Sequence, residues 1–153
     1  MMKKILVCLD GSEFSEMILP YITKDALTLQ SKVILMRVVH IPQSNIPLNI
    51  PGSPAIPIVT KGILERNIAE EKAANEYLEK KVQVLEAKGL DVEYLVPTGH
   101  AGETIVNYAR DNKCTLIAIA THGHGGFRRL ALGSTADYVV HNATIPVLTV
   151  REG

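Results

Sequence analysis

Between Ala120 and Thr135 the chain concentrates residues suited to holding an anion. Gly123, Gly125, Gly126 and Gly133 are four glycines within eleven residues, and Ser134 and Thr135 follow directly. Glycine lets backbone approach a ligand closely. An apolar run, 115–119, precedes this loop and reads as a buried strand. The stretch 135–140 follows it and reads as the opening of a helix. A helix start offers unpaired N–H groups and the positive end of the helix dipole, which together favour phosphate. Ser134 is expected as the N-cap, with its hydroxyl and that of Thr135 in reach of a phosphate oxygen. The competing reading is a loop that only turns the chain.

Asp10 is the second chemical candidate. It closes the first apolar run and is followed by Gly11 and Ser12. A carboxylate there would bond a ribose hydroxyl, help hold a metal, or act as a plain N-cap, and spacing alone leaves the three open. His122 and His124 flank Gly123 but have no third ligand at suitable spacing, so they read as loop histidines near phosphate ahead of a zinc site. His100 and His141 read as capping or surface residues. Arg128 and Arg129 fit phosphate neighbours and solvated loop residues equally well. The chain has no Gly-x4-Gly-Lys-Ser/Thr, so the lysine that serves phosphoryl transfer in P-loop enzymes is missing. No catalytic set is assigned.

The elements that must position these groups alternate. Strands are expected at 4–9, 32–39, 92–96, 115–119 and 145–150. A helix with a kink at Pro20 is expected over 15–29. The longest helical pattern covers 61–88, with Leu64, Ile68, Ala74, Tyr77, Leu78, Val82 and Leu85 near one face, Glu76 and Lys80 as an i,i+4 pair, and Gly89 as its C-cap. Further helices follow at 102–112 and from 135. The segment 40–60 carries five prolines and little charge, and reads as a long surface loop or lid, with simple disorder as the alternative. Alternating strands and helices imply parallel β-α-β units in one α/β domain, 1–153, with helices on both faces. In such sheets ligands bind outside the carboxyl ends of the strands, where the winding reverses. If the strands ending at Asp10 and at the glycine loop are neighbours, both candidates face one crevice.

Composition narrows the partners. In 153 residues, 16 basic and 16 acidic side chains balance, so no global field draws nucleic acid or an anionic membrane. No apolar run approaches the ~20 residues of a membrane span. The start of the chain lacks the pattern of a signal peptide, and a cytoplasmic location is expected. Cys8 and Cys114 lie far apart beside apolar runs and read as reduced core thiols.

Taken together these residues resemble the universal stress protein family over nearly the whole chain. The opening Lys3-Lys4-Ile5-Leu6-Val7-Cys8-Leu9-Asp10-Gly11-Ser12 looks like the family's first strand and acidic turn. The signature of its ATP-binding branch is Gly-x2-Gly-x9-Gly-Ser/Thr. Gly123 matches the second glycine, and nine residues separate it from Gly133-Ser134, while Ala120 stands at the first glycine position.

This resemblance implies a Rossmann-like, doubly wound parallel sheet of five strands in the order 3-2-1-4-5, and a homodimer paired through the last strand, 145–151. It implies that the backbone of Cys8, Leu9, Asp10 and Val38 holds adenine, with Asp10 reaching the ribose. Ile119 and Ala120 would border base and ribose, and Gly123, Gly133, Ser134 and Thr135 would hold the phosphates. The implied ligand is ATP or AMP, with Mg2+ on the phosphates that Asp10 would meet only through the nucleotide. A regulatory nucleotide-binding protein is the leading reading. A slow ATP hydrolase of the adenine α-hydrolase type, and a stress-family member that binds no nucleotide, stand beside it. No downstream partner is specified.

Overall fold

A computed structural model describes residues 2–40, 47–48, 51–52, 56–57, 61–121 and 133–151 of the protein. Its centre is a sheet of five parallel strands, β1 (Lys4–Cys8), β2 (Lys32–Met36), β5 (Asp91–Leu95), β6 (Leu116–Thr121) and β7 (Val147–Arg151). They lie side by side as β5-β2-β1-β6-β7, which is 3-2-1-4-5 when only these five are counted. Two further strands, β3 (Pro47–Leu48) and β4 (Ile56–Pro57), form a separate antiparallel pair inside the proline-rich segment. Proline cannot donate to a ladder, and an isolated pair this short tolerates that. Most of the expected loop at 40–60 lies outside the described residues.

The apolar runs form strands because both sheet faces are covered. Ile5, Val7 and Leu9 point to one side and pack with Leu35, Ile22 and Leu78. Leu6 and Cys8 point to the other and pack with Met36, Ile105, Ile119 and Val139. The first layer takes its helical residues from α1 (Leu19–Leu29) and α2 (Lys61–Glu86). The second takes them from α3 (Ala101–Asp111) and α4 (Ser134–Asn142).

Three local expectations need correction. Pro20 does not kink a continuous helix. A single 3₁₀ turn, Ser15–Ile18, ends just before α1, and Pro20 falls in the first turn of α1, where its missing N–H leaves no helical bond unmade. Leu64 and Ile68 are not core residues and stay 53% and 59% exposed. At 1.5 Å per residue α2 is about 39 Å long, whereas a five-residue strand spans about 17 Å. The sheet therefore cannot cover the whole helix, and its buried residues are Ala74, Leu78 and Leu85. Glu76 and Lys80 are both exposed, and among the described residues the ion pairs of α2 are Lys61 with Glu65 and Lys81 with Glu16. Gly89 has φ +92° and closes the helix as expected.

Candidate functional site

The winding reverses between β1 and β6, which are adjacent and in register from Ile5 with Leu116 to Cys8 with Ile119. The chain runs from β1 outward through β2 to β5, and later from β6 outward to β7. Connections therefore leave opposite faces at this point, and a crevice opens beyond the strands' carboxyl ends. A cavity of about 530 Å³ occupies it.

Its floor is strand ends. Cys8 and Leu9 are buried, Ile119 is buried and Ala120 half-buried, and all four line the cavity. Beyond Met36, Val39 continues the pairing outward. Its N–H donates to the Pro97 carbonyl (2.9 Å) and its own carbonyl accepts from Gly99 (3.0 Å). Arg37 N–H likewise donates to Leu95 (3.3 Å). Alternation then turns the N–H and C=O of Val38 the other way, toward the crevice. Neither makes a hydrogen bond among the described residues. A donor and an acceptor side by side, at the edge of an apolar floor, suit the edge of a heteroaromatic base.

Asp10 stands at the rim, exposed, and is held by a local turn. Its Oδ1 accepts from Ser12 N–H (2.8 Å) and from the Ser12 hydroxyl (2.5 Å). Ser12 Oγ accepts from Ser15 N–H (3.1 Å), and the buried Ser15 hydroxyl donates back to the Ser12 carbonyl (2.9 Å). Ser15 Oγ also accepts from the Asp10 N–H (3.2 Å). Asp10 is thus the head of an Asx turn, not the N-cap of the helix that follows. The turn fixes where the carboxylate sits.

The wall opposite is the start of α4. Here the expected capping is corrected: Gly133 is the N-cap, at φ +81°, and Ser134 is the first helical residue. A positive φ favours glycine over serine, so the cap position moves back by one. The first intrahelical bond runs from Asp137 N–H to the Gly133 carbonyl (2.9 Å). The amides of Ser134, Thr135 and Ala136 are therefore left without helical partners, and all three residues line the cavity. No side chain among the described residues caps them. Gly123, His122, His124, Arg128 and Arg129 lie outside the described residues.

The remaining expectations divide. Cys8 and Cys114 are free buried thiols. Burial, and then the neighbouring Cys114, push the Cys8 thiol up to about 12, so it stays protonated near neutral pH. His100 occupies the N-cap of α3, but its ring makes no capping bond. That ring lies 5.6 Å from the ring of His40, which lines the cavity. His141 is exposed near the end of α4, with Nδ1 2.8 Å from the Asp137 carbonyl. No described group of three His, Cys, Asp or Glu is placed for a metal. No described helix is long and apolar enough to cross a membrane.

The family model "Universal stress protein family" matches residues 1–151. The chain belongs to the universal stress protein family. A Bacillus subtilis universal stress protein is 25% identical over 151 residues, covering 99% of this chain and 100% of that one. A Synechocystis universal stress protein is 44% identical over 69 residues, but these are 45% of this chain and 24% of that longer protein. Among solved structures, a universal stress protein from Lactobacillus plantarum superposes with TM-score 0.77 at 23% identity, covering 97% of both chains. Others of the same fold, at 17–20% identity, were solved with small ligands. One universal stress protein holds cAMP (TM-score 0.62), an Archaeoglobus fulgidus one dAMP (0.63) and an Arabidopsis thaliana one AMP (0.64). They cover 97–99% of this chain, and it covers 92–98% of theirs.

Arg37, Phe14, His40 and Glu70 also line the cavity, and no local motif marks them. Arg37 had a signal, as the one charged residue in the apolar run from Val33 to Val39.

Proposed function

We propose that this universal stress protein binds an adenine nucleotide, ATP or AMP, in the crevice at the β1/β6 reversal. The observation that carries the reading is the cavity itself. Its lining takes in Cys8, Leu9, Asp10, Val38, Ile119, Ala120, Gly133, Ser134 and Thr135. The sequence resemblance points to the same nine residues. The N–H and C=O of Val38, unpaired among the described residues, suit the hydrogen-bonding edge of adenine, over the apolar floor of Cys8, Leu9 and Ile119. Asp10, fixed by its turn, would take the ribose hydroxyls. The open amides of α4, with the hydroxyls of Ser134 and Thr135, would take the phosphates. Gly123 would complete the phosphate loop. Mg2+ would ride on the phosphates and not on a protein cage. Relatives of the fold crystallised with AMP, dAMP and cAMP support an adenine ligand.

The role we assign is regulatory, in the cytoplasm, carried by the chain as one domain. Which nucleotide is bound would bias contact with a downstream protein. The second copy in a homodimer would pair along β7. Slow hydrolysis is the weaker reading, because the sequence lacks the P-loop lysine that serves a transferring phosphate. Mass spectrometry of freshly purified, then denatured protein tests the proposal. An adenine nucleotide near stoichiometric amount supports it. Protein that carries none, and takes up none from millimolar ATP, overturns it.

A further inference from the structure

The cavity has a basic corner that the nucleotide reading leaves unused. Arg37 follows β2 on the same side of the sheet as Leu35, and so emerges toward α2, where its guanidinium lies 5.3 Å from the centroid of the Tyr77 ring. Tyr77 is anchored in turn, donating its hydroxyl to Glu16 Oε1 at 2.9 Å. Glu16 takes Lys81 as its ion partner. Glu16 is thus paired without Arg37. Glu70 lines the cavity as an exposed carboxylate with no ion pair to Arg37. Among the described residues no carboxylate lies within ion-pairing distance of the guanidinium.

On its other side Arg37 rests on Gly11, the residue after Asp10. A Cβ at Gly11 would stand 2.7 Å from Arg37 Nη1 and 2.8 Å from Cζ, and φ there is +88°. Glycine therefore makes the turn and also leaves room for the guanidinium. Its planar fork is held between the Tyr77 ring and the backbone beside the carboxylate that would meet ribose. A half-buried, stacked guanidinium is shaped for a phosphate, which it can bind through two parallel hydrogen bonds.

We infer that Arg37 recognises a second phosphate esterified to a ribose hydroxyl, so that the preferred ligand is an adenosine nucleotide phosphorylated on its ribose. The inference rests on the adenine-nucleotide reading of the same cavity. The carboxylate of Asp10 alone would select a free diol, and an adjoining arginine changes that preference toward a ribose phosphate.

The test is calorimetric titration of the intact protein with AMP, adenosine 3′,5′-bisphosphate and adenosine 2′,5′-bisphosphate. One bisphosphate should bind at least about tenfold tighter than AMP, a gain of about 1.4 kcal/mol, and the isomer preferred identifies the hydroxyl. In Arg37→Gln that ratio should fall toward one, and Arg37→Lys should keep part of it. AMP binding with no preference for either bisphosphate overturns this inference and leaves the nucleotide reading standing. A preference that persists in Arg37→Gln also overturns it. Failure of all three ligands to bind overturns both. If Arg37→Gln does not fold, Arg37→Lys reads the same ratio, and an undiminished preference there overturns the inference.

Discussion

At the scale of single residues, the site includes polar groups that find no hydrogen-bond partner among the described residues. Ser134 is the clearest. It is exposed, it starts α4 without capping it, and it lines the cavity beside the open amides. Ser134→Ala should weaken ATP binding by about 1.5–3 kcal/mol, the worth of a hydrogen bond to a charged group. Stability should hardly change, because no cap is lost. Competition binding read beside thermal melting separates the two effects, and an unchanged affinity would remove Ser134 from the phosphate site. Cys8 makes a different prediction. Its thiol is raised from 9.0 to about 12, so the folded state keeps a proton that the unfolded chain gives up from about pH 9. The stability this contributes is complete below pH 9 and is lost as pH rises toward 12. Tyr77, Tyr108 and Cys114 are pushed up as well, each chiefly by burial, and act in the same direction. Urea unfolding should show midpoints falling above about pH 9, with a shallower fall in Cys8→Ala. Equal slopes for the two proteins would contradict the buried-thiol assignment.

At the scale of elements, α3 and α4 set the width of the site, because both begin at its wall. Their closeness depends on Gly102. A Cβ there would lie 2.7–2.8 Å from Cδ1, Cβ and Cγ of Tyr138 on α4. These atoms are near the root of the tyrosine and cannot simply swing aside. Gly102→Ala should gain about 1 kcal/mol of helix propensity and lose about 1–3 kcal/mol to overpacking, for a net destabilisation. Adding Tyr138→Ala should recover the loss, and a double-mutant cycle in urea measures that coupling. Additive effects would mean the helices do not meet there.

Elements were also the level most legible in the chain. Strands buried on both faces are continuous β-branched and apolar runs, and those from Lys4 and Lys32 could hardly be read otherwise. Periodicity marks a helix face but not how far a sheet extends beneath it, so Leu64 and Ile68 were misjudged. It also fails to separate a 3₁₀ turn from an α-helix, which is why Pro20 looked like a kink. In the site, the glycine loop and Asp10 were legible because their chemistry is local. Arg37 was not, since its meaning depends on Tyr77, forty residues away in sequence, and on the room left by Gly11.

At the scale of the whole molecule, β7 is an edge strand. Ile117 N–H donates to the Pro146 carbonyl (3.0 Å), so Leu148 and Val150 also turn their backbone groups toward β6, while Val147 and Thr149 turn theirs to the open edge. An edge strand invites a second copy, and a twofold axis would pair it antiparallel. Leu148 and Val150 pack against the core, so substituting them would damage the fold as well. Thr149→Pro is the cleaner probe, because it removes an outward N–H and leaves the bonds to β6 intact. Sedimentation should show a dimer for the unmodified protein and a folded monomer for Thr149→Pro. A monomer in both would reject pairing through β7.

The central claim is nucleotide binding at the β1/β6 reversal, and titration calorimetry with ATP and magnesium addresses it most directly. The account predicts saturable heat with a Kd in the micromolar range, about −8 kcal/mol, and a melting temperature that rises with nucleotide concentration. No heat and no thermal shift at millimolar ATP or AMP would contradict it.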